Sequence, residues 1–266
     1  MATTSAPTPT PALVLPGFTL LAQGAEARVY IGRLGGLDAL AKHRFVKGYR
    51  HKVLDDKLRA AHTVAEARSL ARARALGVPV PGVLMVDTKE MVLYMELVHG
   101  ITLKAYLQAM EGLEIKDDVG PHHLPPNAMA VLAAVGKDIA LLHNGDVVHG
   151  DLTTSNFMLR PRSPSDAAVL ASKPLDPSAL VALNILHLEV VTIDFGLASV
   201  AQSDGLEDKA VDLYVLERAF ISTHPFAEHA FAAVLGAYAE ACANDDAVLG
   251  RLEDVRARGR KRDMFG

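Results

Sequence analysis

Two short motifs in the second half of the chain constrain its fold and chemistry more than any other feature. His149–Asn156 (HGDLTTSN) places a carboxylate five residues before a carboxamide, and Asp194–Gly196 (DFG) follows an apolar run typical of a strand. Phosphoryl transfer uses such a set, with one Asp as the base and an Asn and a second Asp as magnesium ligands. We therefore predict that Asp151 is the base and that Asn156 and Asp194 are metal ligands. A turn aspartate and a capping asparagine are the competing interpretation.

The first 42 residues contain two of the upstream partners that such a site needs. Residues 20–30 predict a strand, a tight turn and a second strand, with one glycine where a kinase nucleotide loop has three. Ala39–Lys42 predicts a short apolar strand that ends on a lysine suited to nucleotide phosphates. An ordinary hairpin and a solvated lysine are the alternatives. The predicted loop residues are Gln23, Gly24, Ala25, Glu26, Ala27, Arg28 and Val29.

A helix is predicted from about Leu54 to Leu76, ended by Gly77 and Pro79. Glu66 on this helix is the candidate partner of Lys42. Two interpretations compete, because Thr63–Glu66 also fits a capping box, in which Glu66 would only satisfy a backbone amide. We favour the ion pair, which makes Lys42 and Glu66 catalytic together with Asp151.

The segment Met91–Val98 predicts a buried strand that runs into a connector. In a kinase this connector binds the adenine edge through its backbone, so Met95, Glu96 and Val98 are candidate nucleotide contacts. A plain core strand is compatible with the same pattern. Helices are predicted at Thr102–Met110 and Ala128–His143.

Taken together, these and later blocks resemble the PRPK-type family, the small atypical kinase of the KEOPS (EKC) complex. The resemblance covers about Leu20 to Gly266. It is carried by Gln23–Val29, Lys42–Phe45, Lys47–His51, Thr63–Arg68, His149–Asn156, Glu207–Lys209, Val211–Glu217, Ser222–Pro225 and Val255–Arg262.

The resemblance implies an α+β, two-lobed and minimal protein-kinase-like fold, with a small sheet plus a helix followed by a reduced, mostly helical lobe. It implies ATP and Mg²⁺ as ligands, and as partners the other KEOPS subunits, including the tRNA threonylcarbamoyl transferase, with tRNA reached through the complex. Such proteins are similar to ATPases that support the modifying subunit, and alone they resemble weak serine/threonine kinases.

The expected organisation is a disordered tail at 1–16, an N-lobe at 17–98, a C-lobe at 99–255 and a basic tail at 256–266. Two polar, Pro-containing segments interrupt the C-lobe, a loop at 111–127 and a surface insertion near 161–182. With 266 residues, of which 50% are hydrophobic, the chain can bury a substantial core.

Two absences distinguish the chain from ordinary protein kinases. Gly150 stands where an arginine usually receives an activation-loop phosphate, and no A-P-E follows Asp194–Gly196 before Glu207. We expect constitutive nucleotide binding with poor peptide recognition. Asp212, on a predicted helix Val211–Phe220, is expected to brace the catalytic loop. A small-molecule phosphotransferase of the aminoglycoside or choline type and a catalytically dead scaffold remain alternatives.

The net charge of −4 gives no global attraction to nucleic acid, so any tRNA contact must be local. Five cations within seven residues are the candidates for it, with nuclear targeting or a solvated face as alternatives. They are Arg256, Arg258, Arg260, Lys261 and Arg262. The single cysteine suits a reducing compartment, and we expect the cytoplasm and the nucleus. No apolar run reaches the length of a membrane span.

Overall fold

The structure is a computed structural model that describes residues 13–111, 124–201 and 205–265. Two compact units are present. The first comprises the chain up to Ala71 together with Pro81–Leu97, and the second comprises Arg72–Val80 and the chain from Val98 onward. Among the described residues, no helix has both the length and the apolar character that crossing a bilayer would require.

The first unit is an antiparallel sheet with one helix. Its elements are β1 Phe18–Gln23, β2 Arg28–Leu34, β3 Leu37–His43, α1 Lys52–Ala75, β4 Val83–Asp87 and β5 Val92–Glu96. The last four residues of α1 belong to the second unit. The strand order is β1-β2-β3-β5-β4. Along β3 the side chains of Ala39 and Ala41 are fully buried while their neighbours are partly exposed, as the two-residue period of a strand dictates.

Helix α1 begins two residues before the predicted start and ends at Ala75, one residue before the predicted end. Gly77 has φ +87°, a conformation that L-residues rarely adopt, and Val78 N donates to Ala73 O at 3.1 Å across it. A glycine in this conformation ends a helix and satisfies its last carbonyls. Gly77 therefore sets the end of α1, as the sequence predicts.

The disordered tail expected at 1–16 does not extend as far as residue 16. Leu15 is buried and packs with Tyr30, Val92 and Tyr94 in the core of the first unit. Its carbonyl accepts a hydrogen bond from Phe18 N at 3.0 Å. Apolar contact therefore orders the residues just before β1, and residues 1–12 lie outside the described residues.

The second unit is mostly helical. Its elements are β6 Ile101–Thr102, α2 Leu103–Ala109, α3 Pro126–Asn144, β7 Val147–Val148, β8 Phe157–Pro161, α4 Pro164–Ala171, α5 Pro177–Val181, β9 Leu188–Thr192, β10 Ser199–Val200, α6 Leu206–Thr223, α7 Phe231–Ala241 and α8 Asp245–Phe265. Strands β6-β8-β9 form one small sheet, and β7 pairs with β10. Of the predicted loop at 111–127, residues 112–123 lie outside the described residues.

Helix α3 lies at the centre of this unit. Val131, Leu132, Val135 and Ile139 are fully buried at helical spacing and belong to the same core as Tyr238 of α7. Because α3 leads directly into β7 and the HGD motif, its packing fixes where the catalytic loop begins.

The segment 161–182, predicted as a surface insertion, has secondary structure of its own and two residues that reach the core. It folds into α4 and α5, each capped by a side chain, Ser163 at the first and Asp176 at the second. Leu170 and Leu180 are buried in the main core of the second unit. In a segment rich in Pro and Ser these two leucines are too isolated to show a helical period, so the sequence did not indicate the two helices.

Candidate active site

Lys42 and Glu66, predicted as an ion pair, are in contact in the first unit. Lys42 Nζ donates to Glu66 Oε1 at 2.7 Å, and a guanidinium nitrogen of Arg44 donates to Oε2 at 2.6 Å. The Glu66 side chain is 1% exposed and that of Lys42 is 13% exposed. Burial of a carboxylate requires such compensation. Both oxygens of Glu66 are therefore held, while Lys42 keeps part of its surface in solvent.

The capping-box interpretation of Glu66 is wrong. Helix α1 begins at Lys52, so Thr63 and Glu66 lie in its interior, where no helix start needs a cap. The Thr63 hydroxyl donates instead to the Arg59 carbonyl at 2.8 Å, four residues earlier.

Arg44 was missed as a second partner of Glu66. Arg44 follows Lys42 by two residues in extended chain. The two-residue period of such a chain was therefore the available signal, because it puts both cations on the same side of the strand.

The predicted nucleotide loop connects β1 to β2. Gly24 N donates to Ala27 O at 2.9 Å and closes a tight turn, and Arg28 Nε donates to the Gln23 side-chain carbonyl at 2.8 Å. Val29, the last predicted loop residue, lies directly opposite Lys42 in the β2–β3 ladder. The loop therefore ends beside the lysine that we predict to bind phosphate.

The predicted adenine-binding segment begins in β5, where Met95 is buried. Glu96 N donates to Gly82 O at 2.8 Å, and Leu97 N donates to Asp38 O at 3.2 Å. These two amides are engaged within the first unit, so an adenine edge would use other backbone groups between Met95 and Val98.

The catalytic loop between β7 and β8 brings Asp151 and Asn156 together in the second unit. Asn156 Nδ2 donates to the Asp151 backbone carbonyl at 2.8 Å and to its carboxylate Oδ2 at 3.1 Å. A carboxamide whose NH₂ group is engaged in this way turns its carbonyl oxygen Oδ1 elsewhere. Asn156 therefore has an oxygen placed to accept a cation.

Asp194 lies two residues after the end of β9. This strand pairs with β8, which begins directly after Asn156. Phe157 faces Thr192 in the β8–β9 ladder, and Ile193 N donates to Asn156 O at 2.9 Å. Asp194 itself has φ +61°, which is uncommon for a residue other than glycine. The ladder register thus brings two oxygen-bearing side chains to one end of the hairpin. A carboxylate and a carboxamide oxygen are ligands that Mg²⁺ prefers, so the donor set fits this ion.

His149 connects the HGD and DFG motifs. Its Nε2 lies 3.0 Å from the Ile193 carbonyl, and its Nδ1 lies 3.3 Å from Asp151 N. Because a carbonyl can only accept and an amide can only donate, Nε2 carries the proton and Nδ1 accepts. The ring also contacts Phe195 edge-on, with centroids 4.8 Å apart. The buried His149 side chain therefore holds the backbone of the predicted base, Asp151, and the backbone just before the predicted metal ligand, Asp194.

Asp212 on α6 braces the catalytic loop, as expected. Its carboxylate accepts hydrogen bonds from His149 N at 2.6 Å and from Gly150 N at 2.8 Å. Gly150 has φ +81°, and a Cβ at this position would lie 2.6 Å from the Leu197 carbonyl oxygen. This backbone therefore has no room for an arginine at position 150. The residue that would receive an activation-loop phosphate is absent for a steric reason.

A second brace of the catalytic loop was not predicted from the sequence. His224 Nε2 lies 2.9 Å from the Thr154 hydroxyl, and its ring contacts Phe220 and Phe226 edge-on. Burial, with a smaller contribution from Lys104, lowers the pKa of His224 to about 4. His224 belongs to the Ser222–Pro225 block of the resemblance, which was the available signal, although the block alone does not identify the contact.

The cations proposed for tRNA contact do not form a separate tail. Residues 256–265 are the end of α8, and Arg256 Nε donates to Glu217 of α6 at 2.8 Å. Arg256 also pairs with Glu253, and Arg258 pairs with Glu207. Two of the five predicted cations are therefore engaged within the protein. Arg260 is exposed, and the side chains of Lys261 and Arg262 lie outside the described residues.

Comparisons with known proteins show the family of the chain. A family model described as "Lipopolysaccharide kinase (Kdo/WaaP) family" matches residues 30–171. The EKC/KEOPS complex subunit Tp53rkb of Mus musculus is 42% identical to this chain. The match covers 96% of this chain and 91% of the length of the mouse protein. The EKC/KEOPS complex subunit bud32 of Dictyostelium discoideum is 38% identical over 93% of this chain and 84% of its own. The chain belongs to the Bud32 family. The resemblance stated from the sequence is confirmed.

Solved structures show the fold of this Bud32-family chain. "WaaP in complex with acyl carrier protein" has a TM-score of 0.54 at 15% identity and covers 90% of this chain and 87% of its own. The "Rio2 kinase-ADP/Mg2+-phosphoaspartate complex from Chaetomium thermophilum" has a TM-score of 0.53 at 17% identity, over 91% of this chain and 70% of its own. The α+β, kinase-like fold expected from the sequence is therefore confirmed.

Proposed function

We propose that this Bud32-family protein binds ATP with Mg²⁺ and transfers or hydrolyses the terminal phosphate. The observation that carries the proposal is the contact between Asn156 and Asp151. It orients the carboxamide oxygen for a cation and holds the carboxylate that would accept a proton from the attacking group. A related kinase solved with ADP and Mg²⁺ supports the choice of ligands.

Each predicted residue has one role in this proposal. Asp151 accepts the proton of the attacking hydroxyl or water. Asn156 and Asp194 hold Mg²⁺, which when bound neutralises charge on the phosphates. Lys42, oriented by Glu66, binds phosphate oxygens. The Gln23–Val29 loop covers the phosphates, and backbone groups between Met95 and Val98 contact the adenine.

We further propose that the protein works as an ATPase within an EKC/KEOPS assembly and supports threonylcarbamoyladenosine modification of tRNA, with weak serine/threonine kinase activity. The names of its relatives support the assembly. Gly150 and the absence of A-P-E from the sequence support weak peptide recognition. Within the assembly, the end of α8 from Arg260 onward is the proposed tRNA contact. Cytoplasm and nucleus are the proposed locations, which suit a chain with one cysteine.

The small-molecule phosphotransferase interpretation is not favoured. Relatives that match 93% to 96% of this chain are named as EKC/KEOPS subunits. The intact set of Lys42, Glu66, Asp151, Asn156 and Asp194 likewise argues against a dead scaffold.

One experiment separates these functions. ADP release is measured for the purified chain and for the chain assembled with its EKC/KEOPS partners, each with and without tRNA, with casein, and with aminoglycosides or choline. We expect Mg²⁺-dependent turnover that rises on assembly with tRNA and does not respond to the small acceptors. Turnover that depends on an aminoglycoside or choline would contradict the proposal, and no turnover under any condition would favour a scaffold.

A further inference from the structure

The predicted nucleotide loop lacks two of the three glycines that normally let such a loop orient its peptides toward phosphate. Between Gly24 and Arg28 the loop contains Ala25, Glu26 and Ala27. Side chains restrict the backbone, and a carboxylate at Glu26 would repel a phosphate. Some other feature of the first unit must therefore set the orientation of this loop.

Lys47, which lies between β3 and α1, makes the relevant contacts. Its ammonium donates a hydrogen bond to the Ala25 carbonyl and lies 3.5 Å from the Glu26 carboxylate. The Lys47 side chain is 9% exposed, whereas that of Glu26 is 57% exposed. A buried lysine with a carbonyl and a carboxylate as partners is not a solvated surface charge.

Neighbouring groups hold Lys47 in this place. Its ammonium lies 4.8 Å from the centroid of the Phe45 ring, and the Arg28 guanidinium lies 4.9 Å from the same centroid. Its backbone amide donates to Asp55 of α1 at 3.4 Å, and Asp55 is itself bound by Arg59 at 2.7 Å. Lys47 is thus held both at its backbone amide and at its ammonium.

The contact to Ala25 determines which way the next amide points. The Ala25–Glu26 peptide is trans, so its N–H points opposite to its carbonyl. With the carbonyl directed at Lys47, the Glu26 N–H is directed away from Lys47. The ammonium also offsets the Glu26 charge. Both effects favour the binding of a phosphate oxygen at this turn. In a loop with three glycines, the glycines would permit that binding.

We propose that Lys47 is a positioning residue that orients the Ala25–Glu26 peptide of the nucleotide loop for phosphate binding. This inference rests on the proposed ATP binding and adds to it a residue outside the loop. Lys47 acts through Ala25 and Glu26 and does not itself contact the nucleotide.

The test compares full-length wild type, Lys47→Met and Lys57→Met, an exposed lysine on α1 as the matched control. Methionine keeps an unbranched side chain of similar length and removes the charge. Affinities for Mg·ATP and for adenosine are measured by calorimetry, and amide hydrogen exchange is followed at residues 24–27. We expect Lys47→Met to weaken Mg·ATP binding about tenfold, as loss of a charge-assisted hydrogen bond does, with adenosine affinity unchanged and faster exchange in the loop.

Lys57→Met should match wild type in all three measurements. Lys47→Gln, whose carboxamide can still donate to Ala25 O, should lose less Mg·ATP affinity than Lys47→Met, and it replaces that variant if methionine prevents folding. Wild-type Mg·ATP affinity and loop exchange in the Lys47 variant would overturn the proposal. So would weaker Mg·ATP binding with unchanged loop exchange, because Lys47 would then be a direct ligand. Absence of Mg·ATP binding in wild type would instead overturn the proposed function, while the exchange measurement would still report on the loop.

Discussion

The carboxylate of Asp212 accepts a hydrogen bond from the backbone amide of His149 at 2.6 Å. The same carboxylate accepts the next amide, that of Gly150, and His143 lies 3.4 Å from it. A buried carboxylate with two amide donors is a strong, charge-assisted anchor. The catalytic loop is thus held from α6 by a group that is part of the fold, and this anchor requires no phosphate on the segment after Asp194.

This anchor leads to a prediction about the activation segment. Ser199 lies in β10, directly opposite Val148 of β7, and Ser203, the other hydroxyl residue between Gly196 and Lys209, lies outside the described residues. Because Gly150 offers no side chain to a phosphoserine, ATP turnover of the assembled Ser199→Ala/Ser203→Ala variant should equal that of wild type. A large loss of turnover in a folded variant, with phosphate detected at either serine in wild type, would refute constitutive activity.

The metal ligands and the base should respond differently to substitution. Asp194→Ala should abolish Mg²⁺-dependent ATP turnover, because the cation loses its anionic ligand. Asp151→Ala should reduce turnover severely and leave nucleotide affinity nearly intact, since the base acts on the attacking group. ADP release and calorimetric ATP affinity measure both effects, with the exposed Asp246→Ala as a control expected to match wild type. Near-normal turnover of Asp194→Ala would overturn the site assignment.

Arg44 should matter for stability as well as for the orientation of Glu66. In Arg44→Met the buried Glu66 carboxylate keeps Lys42 but loses its second cation. Removing one partner of a buried pair costs about 3 to 5 kcal/mol, and Lys42 should reduce that loss to about 2 kcal/mol. Urea unfolding measures the change. Arg44→Met/Glu66→Gln, which also removes the buried charge, should recover part of the stability, and no recovery would show that Arg44 acts by packing alone.

The sequence predicted the interactions that involve motifs and missed those that join distant surfaces. Lys42, Glu66, Asp151, Asn156 and Asp194 occupy positions where residue type and spacing carry the chemistry. The contact of His224 with Thr154 spans 70 residues and depends on where α6 ends. No periodicity along the chain shows such a contact.

Charge and composition were weaker guides than motif spacing. The pairing of Arg256 and Arg258 with Glu217 and Glu207 requires α6 and α8 to lie side by side, which a run of basic residues does not indicate. The burial of Leu170 and Leu180 requires two short helices in a segment whose composition predicts only a surface insertion. In each case a tertiary contact overrode the local preference of the sequence.

Two buried histidines should make the protein less stable in mild acid. Burial is the largest cause that lowers the pKa of His43 and of His224 to about 4, against 6.5 for the unperturbed group. Between these values the unfolded chain binds more protons than the folded one. Stability should therefore fall as the pH drops from about 6.5 to 4, by at most about 3 kcal/mol for each histidine.

Urea unfolding at pH 7.5, 6 and 5 measures this dependence. His43→Leu should flatten it by removing one of the two groups, since the His43 ring is buried with Nδ1 unpaired. The exposed His51→Leu variant is the control and should keep the wild-type slope. An unchanged slope in His43→Leu would contradict the assignment to this residue.

The basic end of α8 should contribute to tRNA binding through the residues beyond its paired arginines. Arg256 is bound to Glu217 and Arg258 to Glu207, so deleting the whole segment from Arg256 onward would also disturb the packing of α8.

The variant that tests tRNA binding without breaking these ion pairs is Arg260→Ala/Lys261→Ala/Arg262→Ala in the assembled complex. We expect weaker tRNA binding and a dependence of log affinity on log salt that flattens by roughly 0.7 to 0.9 for each phosphate that the variant no longer neutralises. Arg256→Ala, which removes an internal ion pair, should lower stability and keep the wild-type salt slope. Salt titrations of tRNA affinity for the three complexes give the answer, and equal slopes for the triple variant and wild type would assign this segment to a role other than tRNA binding.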